Sequence, residues 1–311
     1  MQMNLWCAAL RACALQNAKD NTMRIPESEL IINSDGSAFH IHIRPEQLAD
    51  RVIVVGDPGR VDQVAVFLDS VECRNASREF VSVTGSFKGK RFTVLSTGIG
   101  TDNIDIVMTE LDALANIDFA TREVKPEHRK LSILRIGTCG ALQADVPIGS
   151  YVFSKVSIGF DGLMNWYADR ESLEDFEEAF KAHMNWNPHL PDPYFVRASE
   201  RIARAFEDST IQGMTISAPG FYGPQGRVVR LPLAMPDMLD RISSFRFGGM
   251  KINNFEMESS ALAGLASKLG HDAGTVCCAI ANRLLKDSNP DYKRKIKELV
   301  WLSLETLAEK L

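Results

Sequence analysis

The feature that most constrains this chain is a set of short, uninterrupted apolar runs, each ending in a glycine turn. Residues 52–56 (VIVVG) lead into Gly56-Asp57-Pro58-Gly59-Arg60. Residues 92–97 end in Thr97-Gly98-Ile99-Gly100, and residues 131–136 stop at Gly137-Thr138-Cys139-Gly140. Runs that are apolar at every position predict strands covered on both faces. Residues 151–157 and 275–281 (TVCCAIA) read the same way. Between the runs lie segments of helical period. Residues 61–68 are one; Ile104, Val107, Met108, Leu111, Leu114 and Ala115 mark a second, with Thr101 or Asp102 as its N-cap. Ile296, Leu299, Val300, Leu304, Leu307 and Leu311 form a stripe on a C-terminal helix. This alternation predicts a layered α/β core with ligands at the strand ends.

The chain has 311 residues, 45% of them hydrophobic, and shows no repeat, low-complexity tract or linker. One domain over residues 31–311, preceded by a leader over 1–30, is the simplest division. The leader MQMNLWCAALRACALQ lacks a basic start, and Arg11 interrupts its apolar run, which argues against a signal peptide. An upstream start or a frayed leader fits better, with Met23 as a candidate true start. Residues 121–130 (TREVKPEHRK) and 161–193 read as insertions, the second a candidate lid or oligomer contact that could bring Trp166 or Tyr167 to a site. The net charge of −5, without a basic block, argues against nucleic acid and anionic membranes. No uncharged run reaches the roughly 18–20 residues of a membrane span. The 6 cysteines form no CxxC pair, so a reducing cytoplasm is expected rather than a zinc ribbon or disulfide scaffold.

Two glycine turns carry arginines. In the first, Gly56 permits close backbone approach, the helix start offers N–H groups, and Arg60 adds a charged fork. A tight turn with a solvated arginine would look the same, and the loop is neither a Walker A sequence nor a dinucleotide fingerprint. In the second, Arg135 lies inside an apolar strand, where its charge needs a partner, either a carboxylate or a bound phosphate. Thr138 adds a hydroxyl at the strand end. Cys139 has no neighbouring His or acid to make it a nucleophile. His40-Ile41-His42 would put two imidazoles on one side of a strand, but no third metal ligand stands at matching spacing.

Taken together, VIVVGDPGR, ASREF, LSTGIG, LRIGTCGAL, FYGPQGR and NNFEMESSAL resemble the nucleoside phosphorylase family, in family order from about Phe39 to the C-terminus. The resemblance implies a single-domain, three-layer α/β/α fold with a mixed, partly barrel-like central sheet. It also implies a homodimer, or a hexamer built as a trimer of dimers, with shared sites. Phe221-Tyr222-Gly223-Pro224-Gln225-Gly226-Arg227 is similar to the turn by which uridine-cleaving members read uracil. A Gln amide offers a donor and an acceptor to the base edge, and Arg offers donors to a carbonyl. Purine-cleaving members carry an acidic Asp after the last core strand; here Asn282-Arg283 stands instead.

The resemblance assigns phosphate to Gly56, Arg60, Arg135 and Thr138, with Arg78 entering from a neighbouring subunit. Ribose falls to Glu258, Met257 and the supporting Glu256, with His40 of the partner chain at the 5′-hydroxyl. The base falls to Gln225 and Arg227, with Phe221, Ile280, Ala281, Arg283 and Gly140 around it. Arg135, Thr138, Gln225 and Arg227 carry the catalytic effect, without a covalent nucleophile. Inorganic phosphate is a co-substrate, and no cofactor or metal is implied. Some members bind a monovalent cation through the loop after Gly98 and the Glu matching Glu79, but Gly98-Ile99-Gly100-Thr101-Asp102-Asn103 lacks the usual serine. The expected activity is phosphorolysis of uridine to uracil and ribose 1-phosphate. Purine phosphorolysis, hydrolysis by a nucleosidase and non-catalytic nucleoside binding are the alternatives.

Overall fold

The computed structural model describes residues 24–170, 172–288 and 292–311. Cys7, Cys13, Met23 and the leader through residue 23 lie outside them, as does Glu171 of the insertion at 161–193. In chain order the elements begin with β1 (Arg51–Val55), α1 (Pro58–Ala65), β2 (Ser70–Ser77), β3 (Phe80–Phe87), β4 (Lys90–Ser96) and α2 (Thr101–Asn116). Then follow β5 (Ile117–Asp118), β6 (Glu123–Val124), β7 (Ser132–Ala141), β8 (Tyr151–Gly159), α3 (Glu174–Met184), β9 (Tyr194–Arg197) and α4 (Glu200–Ala205). The last are β10 (Ile211–Ser217), α5 (Met238–Ser244), β11 (Arg246–Phe247), β12 (Met250–Glu256), α6 (Ser259–Leu269), β13 (Asp272–Asn282), β14 (Asp287–Ser288) and α7 (Lys293–Lys310).

Strand β1 explains the uniform apolar runs. Val52 and Val54 enter a core shared with α2 and α6, while Ile53 and Val55 enter one shared with α1 and α7. Helices therefore cover both sheet faces, and every position from Val52 to Val55 is apolar and buried. The sheet runs β11-β12-β10-β8-β13-β7-β1-β4-β3-β2, with β9 on β8 and β14 on β13. β1 lies parallel between β4 and β7. β12 also returns to β7 in antiparallel register, Asn254 opposite Ala141 and Phe255 opposite Gly140. That pairing closes β12, β10, β8, β13 and β7 into a ring and brings the end of β12 over Arg135.

Several expectations change. Strand β7 does not stop at Gly137 but runs through Gly140 to Ala141, because β13 pairs along its whole length. The first helix begins at Pro58, earlier than residue 61. The N-cap of α2 is Gly100, at φ 101°, and no side chain caps it; Thr101 is the first helical residue. His40 and His42 sit in a turn, not on a strand, with His42 at φ 50°. The insertion at 161–193 builds a third core: Phe176, Phe180 and Met184 of α3 pack with Phe195 and Phe245. Trp166 is exposed, and Tyr167 bonds Asp105 of α2. The polar stretch at 121–130 includes β6, which pairs with β5. Residues 24–30 are held by Arg122, whose guanidinium donates to the carbonyls of Ile25, Pro26 and Leu30. Among the described residues, no helix is long and apolar enough to cross a membrane.

Candidate active site

A cavity of about 1520 Å³ opens where β1, β4, β7, β12 and β13 end. Gly56, Arg60, Arg135 and Thr138 line it, as do Glu256, Met257 and Glu258. So do Phe221, Gln225, Arg227, Gly140, Ile280, Ala281 and Arg283. His40 and Arg78, the two residues expected to serve a neighbouring subunit, do not. Arg78 sits exposed at the tip between β2 and β3 with a left-handed φ of 52°, next to cavity-lining Glu79.

One end of the cavity is built around Arg135, which is 5% exposed. Its guanidinium pairs with Glu258 and lies 3.3 Å from Glu256. Of the two partners left open by the sequence, a carboxylate holds it in this structure. Burial works against the Arg135 charge, but Glu258 and then Glu256 outweigh it and hold the group above its ordinary value. Burial pushes the Glu258 carboxyl up, Arg135 pulls it back, and Glu256 adds to the upward push; the net shift is upward. Glu258 also accepts from the backbone N–H of Gly100 at 3.0 Å.

Glu256 faces the cavity, but its carboxylate is committed to the start of α6. It accepts from Ser217 Oγ at 2.6 Å, Ser259 Oγ at 2.8 Å and the amide of Glu258 at 2.9 Å. This arrangement holds the turn that presents Met257 and Glu258. Gly137 is needed beside Arg135: a Cβ there would strike the Arg135 guanidinium and come 2.9 Å from Cys277 Sγ.

Arg60 is different. It is 8% exposed and donates to the Ile136 carbonyl at 3.3 Å, with no carboxylate within ion-pair distance among the described residues. Burial, and then the Arg135 charge, hold it below its ordinary value. A buried guanidinium repelled by another is stabilised by any anion that enters. The start of α1 contributes less than expected, because Asp57 already caps it through the Gly59 amide at 2.9 Å.

The other end is a self-paired turn. Arg227 donates to Gln225 Oε1 at 2.6 Å and to the Phe221 carbonyl at 2.5 Å, with its guanidinium 3.7 Å from the Phe221 ring centre. Arg283 fixes the turn by donating to the Gln225 carbonyl at 3.0 Å. Burial, then the charge of Arg283, lowers Arg227 to about 10. It still carries its charge at neutral pH.

Sequence reasoning missed Lys286, Asp287, Ser288 and Tyr292, which line the cavity from the β13–β14 hairpin and the start of α7. Their stretch carries no apolar period, and the pairing of Ala281 with Ser288 and of Asn282 with Asp287 folds the hairpin back over the site. The loop after Gly98 also contacts Glu79. Asn103 Nδ2 donates to Glu79 Oε1 at 3.1 Å, so an amide already occupies one oxygen of the loop's carboxylate.

A sequence profile of the phosphorylase superfamily matches residues 50–305. A uridine phosphorylase of Thermococcus kodakarensis is 26% identical over 280 residues, covering 88% of each chain. A DeoD-type purine nucleoside phosphorylase of Geobacillus stearothermophilus is 26% identical, covering 86% of this chain and 98% of its own. Among solved structures, a Trypanosoma brucei nucleoside phosphorylase that shows uridine phosphorylase activity superposes with a TM-score of 0.82 at 30% identity, covering 90% of this chain and 99% of that one. It shares the mixed α/β architecture and partly closed sheet described above. This chain belongs to the phosphorylase superfamily and is a pentosyltransferase of the nucleoside phosphorylase kind.

Proposed function

We propose that this protein is a uridine phosphorylase, acting in the cytoplasm in pyrimidine salvage as a homo-oligomer with shared sites. One observation carries the reading: the Gln225–Arg227 turn, braced by Arg283, shares a cavity with the unpaired Arg60. One end of the cavity suits an anion, and the other suits a base whose carbonyls gain negative charge. The Asn282-Arg283 sequence, where an acid would serve a purine, points the same way.

Phosphate would enter beside Arg60, with Gly56, Thr138 and the neighbouring subunit's Arg78 completing its shell. Its charge would compete with Glu258 for Arg135, and the carboxylate so released would accept the ribose hydroxyls. Met257 would pack on the sugar. As the glycosidic bond stretches through an oxocarbenium-like state, Gln225 and Arg227 would stabilise the departing uracil anion. Phe221 would cover the ring, with Ile280 and Ala281 behind it. No step calls for a metal or cofactor.

The test is a nucleoside panel with and without phosphate, following free base. Uracil release from uridine only with phosphate, paired with ribose 1-phosphate, is the expected result. Phosphate-independent release would make the protein a nucleosidase, reaction of purine nucleosides alone would make it a purine enzyme, and no turnover would leave a binding protein.

A further inference from the structure

We propose that Glu110 is a positioning residue for His40, fixing which ring nitrogen His40 presents outward. The proposal rests on the reading that His40 meets a nucleoside 5′-hydroxyl across a subunit boundary.

Glu110 projects from the body of α2, the helix whose N-cap, Gly100, donates to Glu258. It is 7% exposed, and among the described residues its only ion-pair partner is His40. A buried carboxylate without a strong cation must be satisfied by hydrogen bonds. Glu110 finds them all on one turn. Oε1 meets His40 Nδ1 at 2.6 Å, and Oε2 accepts the amides of His40 at 3.0 Å and Ile41 at 2.9 Å. An ionised carboxylate only accepts, so Nδ1 must carry the ring proton. In the neutral ring Nε2 is then a lone-pair acceptor, aimed by the contact its sister nitrogen makes.

The ring cannot turn freely. Phe39 and Phe80 stand edge-on to it, with centroids 4.8 Å and 6.4 Å away. Nε2 has no hydrogen-bond partner among the described residues, and the His40 side chain is 27% exposed. His40 does not line its own chain's cavity, which fits a group presented to Nε2 from a second copy. A hydroxyl donor, such as a ribose 5′-OH held by a second copy, matches an acceptor nitrogen. A glutamate serving only to cap the turn would need the two amides and would leave the ring unconstrained.

The test compares uridine with 5′-deoxyuridine, which lacks the hydroxyl in question. In the wild type, kcat/KM should favour uridine, and His40→Ala should reduce that preference roughly five- to tenfold, the usual size of one hydrogen bond. Glu110→Gln keeps an acceptor for the turn but removes the charge that selects the tautomer. It should lose a comparable part of the preference, mainly in KM, while 5′-deoxyuridine kinetics stay near wild type. In the His40→Ala background the same change should cost no further preference. Equal losses on both substrates would reduce Glu110 to a turn cap and overturn the proposal. Imidazole nitrogen NMR on histidine-labelled oligomer separates the two layers. His40 should be protonated at Nδ1 in the wild type and mixed in Glu110→Gln; an unchanged tautomer overturns the proposal whatever the kinetics. If the tautomer does shift but His40→Ala leaves the preference intact, the role of His40 at the ribose falls, and the positioning role of Glu110 falls with it.

Discussion

The two ends of the cavity are built on opposite principles. At one end Arg135, Glu258 and Glu256 are buried, mutually paired and tied to backbone amides and serines. At the other, Gln225 is buried, but Arg227 is only part-buried and the flanking Phe221, Val228 and Val229 are more than half exposed. A buried ion network is a structural commitment, because each member leaves a desolvated charge behind if its partner goes. Arg227, part-buried and bonded only to neutral groups, has no such commitment. Damage at the first end should therefore reach folding and chemistry together, and damage at the second should reach chemistry alone.

The largest expected effect comes from Arg135→Ala, which strands two buried carboxylates and should cost about 3–5 kcal/mol of stability as well as activity. Thermal unfolding together with phosphorolysis measures both. The double variant Arg135→Met with Glu258→Gln should recover much of the stability and none of the activity. If Arg135→Ala unfolds like the wild type, the buried end is no more committed than the exposed one. Next in size is Arg227→Ala. It should remove about 2–4 kcal/mol of transition-state stabilisation, by analogy with a lost oxyanion donor. Its stability should change by less than about 1 kcal/mol. Wild-type uridine kinetics would sink the base-reading role; a large drop in melting temperature would show the turn to be structural.

These ends also differ in how far the sequence discloses them. Gln225 and Arg227 form a contiguous motif, and their contact is local, so a two-residue spacing conveys it. Arg135 announced only that an apolar strand holds a charge. Its partner, Glu258, lies far along the chain and reaches it because β12 closes onto β7, a pairing that no apolar period encodes. The same holds for Ser217 and Glu256, register partners on the adjacent strands β10 and β12, and for Glu110 and His40, which meet between a helix and a turn distant in sequence. The covered strands were legible because burial on both faces leaves every position apolar. Their ends were not: a glycine-rich stretch reads as a stop, yet β13 carries β7 through it.

The smallest effect is also the sharpest contrast between the ends, and it is read in pH. Glu258 has its proton affinity raised chiefly by burial. It must be ionised to accept ribose hydroxyls, so the acid limb of kcat/KM, at saturating phosphate, should lie above the ordinary glutamate value of about 4.3. Arg227, at about 10, stays charged throughout that range and contributes no limb there. The stability sign is the reverse. A carboxyl whose folded-state pKa is raised favours the fold while protonated. Its contribution is complete below the unfolded value and is lost as pH rises through the folded one. Across the same window Glu258 should therefore gain activity and surrender stability. The difference in melting temperature between wild type and Glu258→Gln isolates this group from the other carboxylates. That difference should shift against the wild type as pH rises through the acid limb. An acid limb at or below the ordinary glutamate value, or a melting difference flat across it, would mean that Arg135 compensates Glu258 fully. The buried end would then titrate no differently from the exposed one.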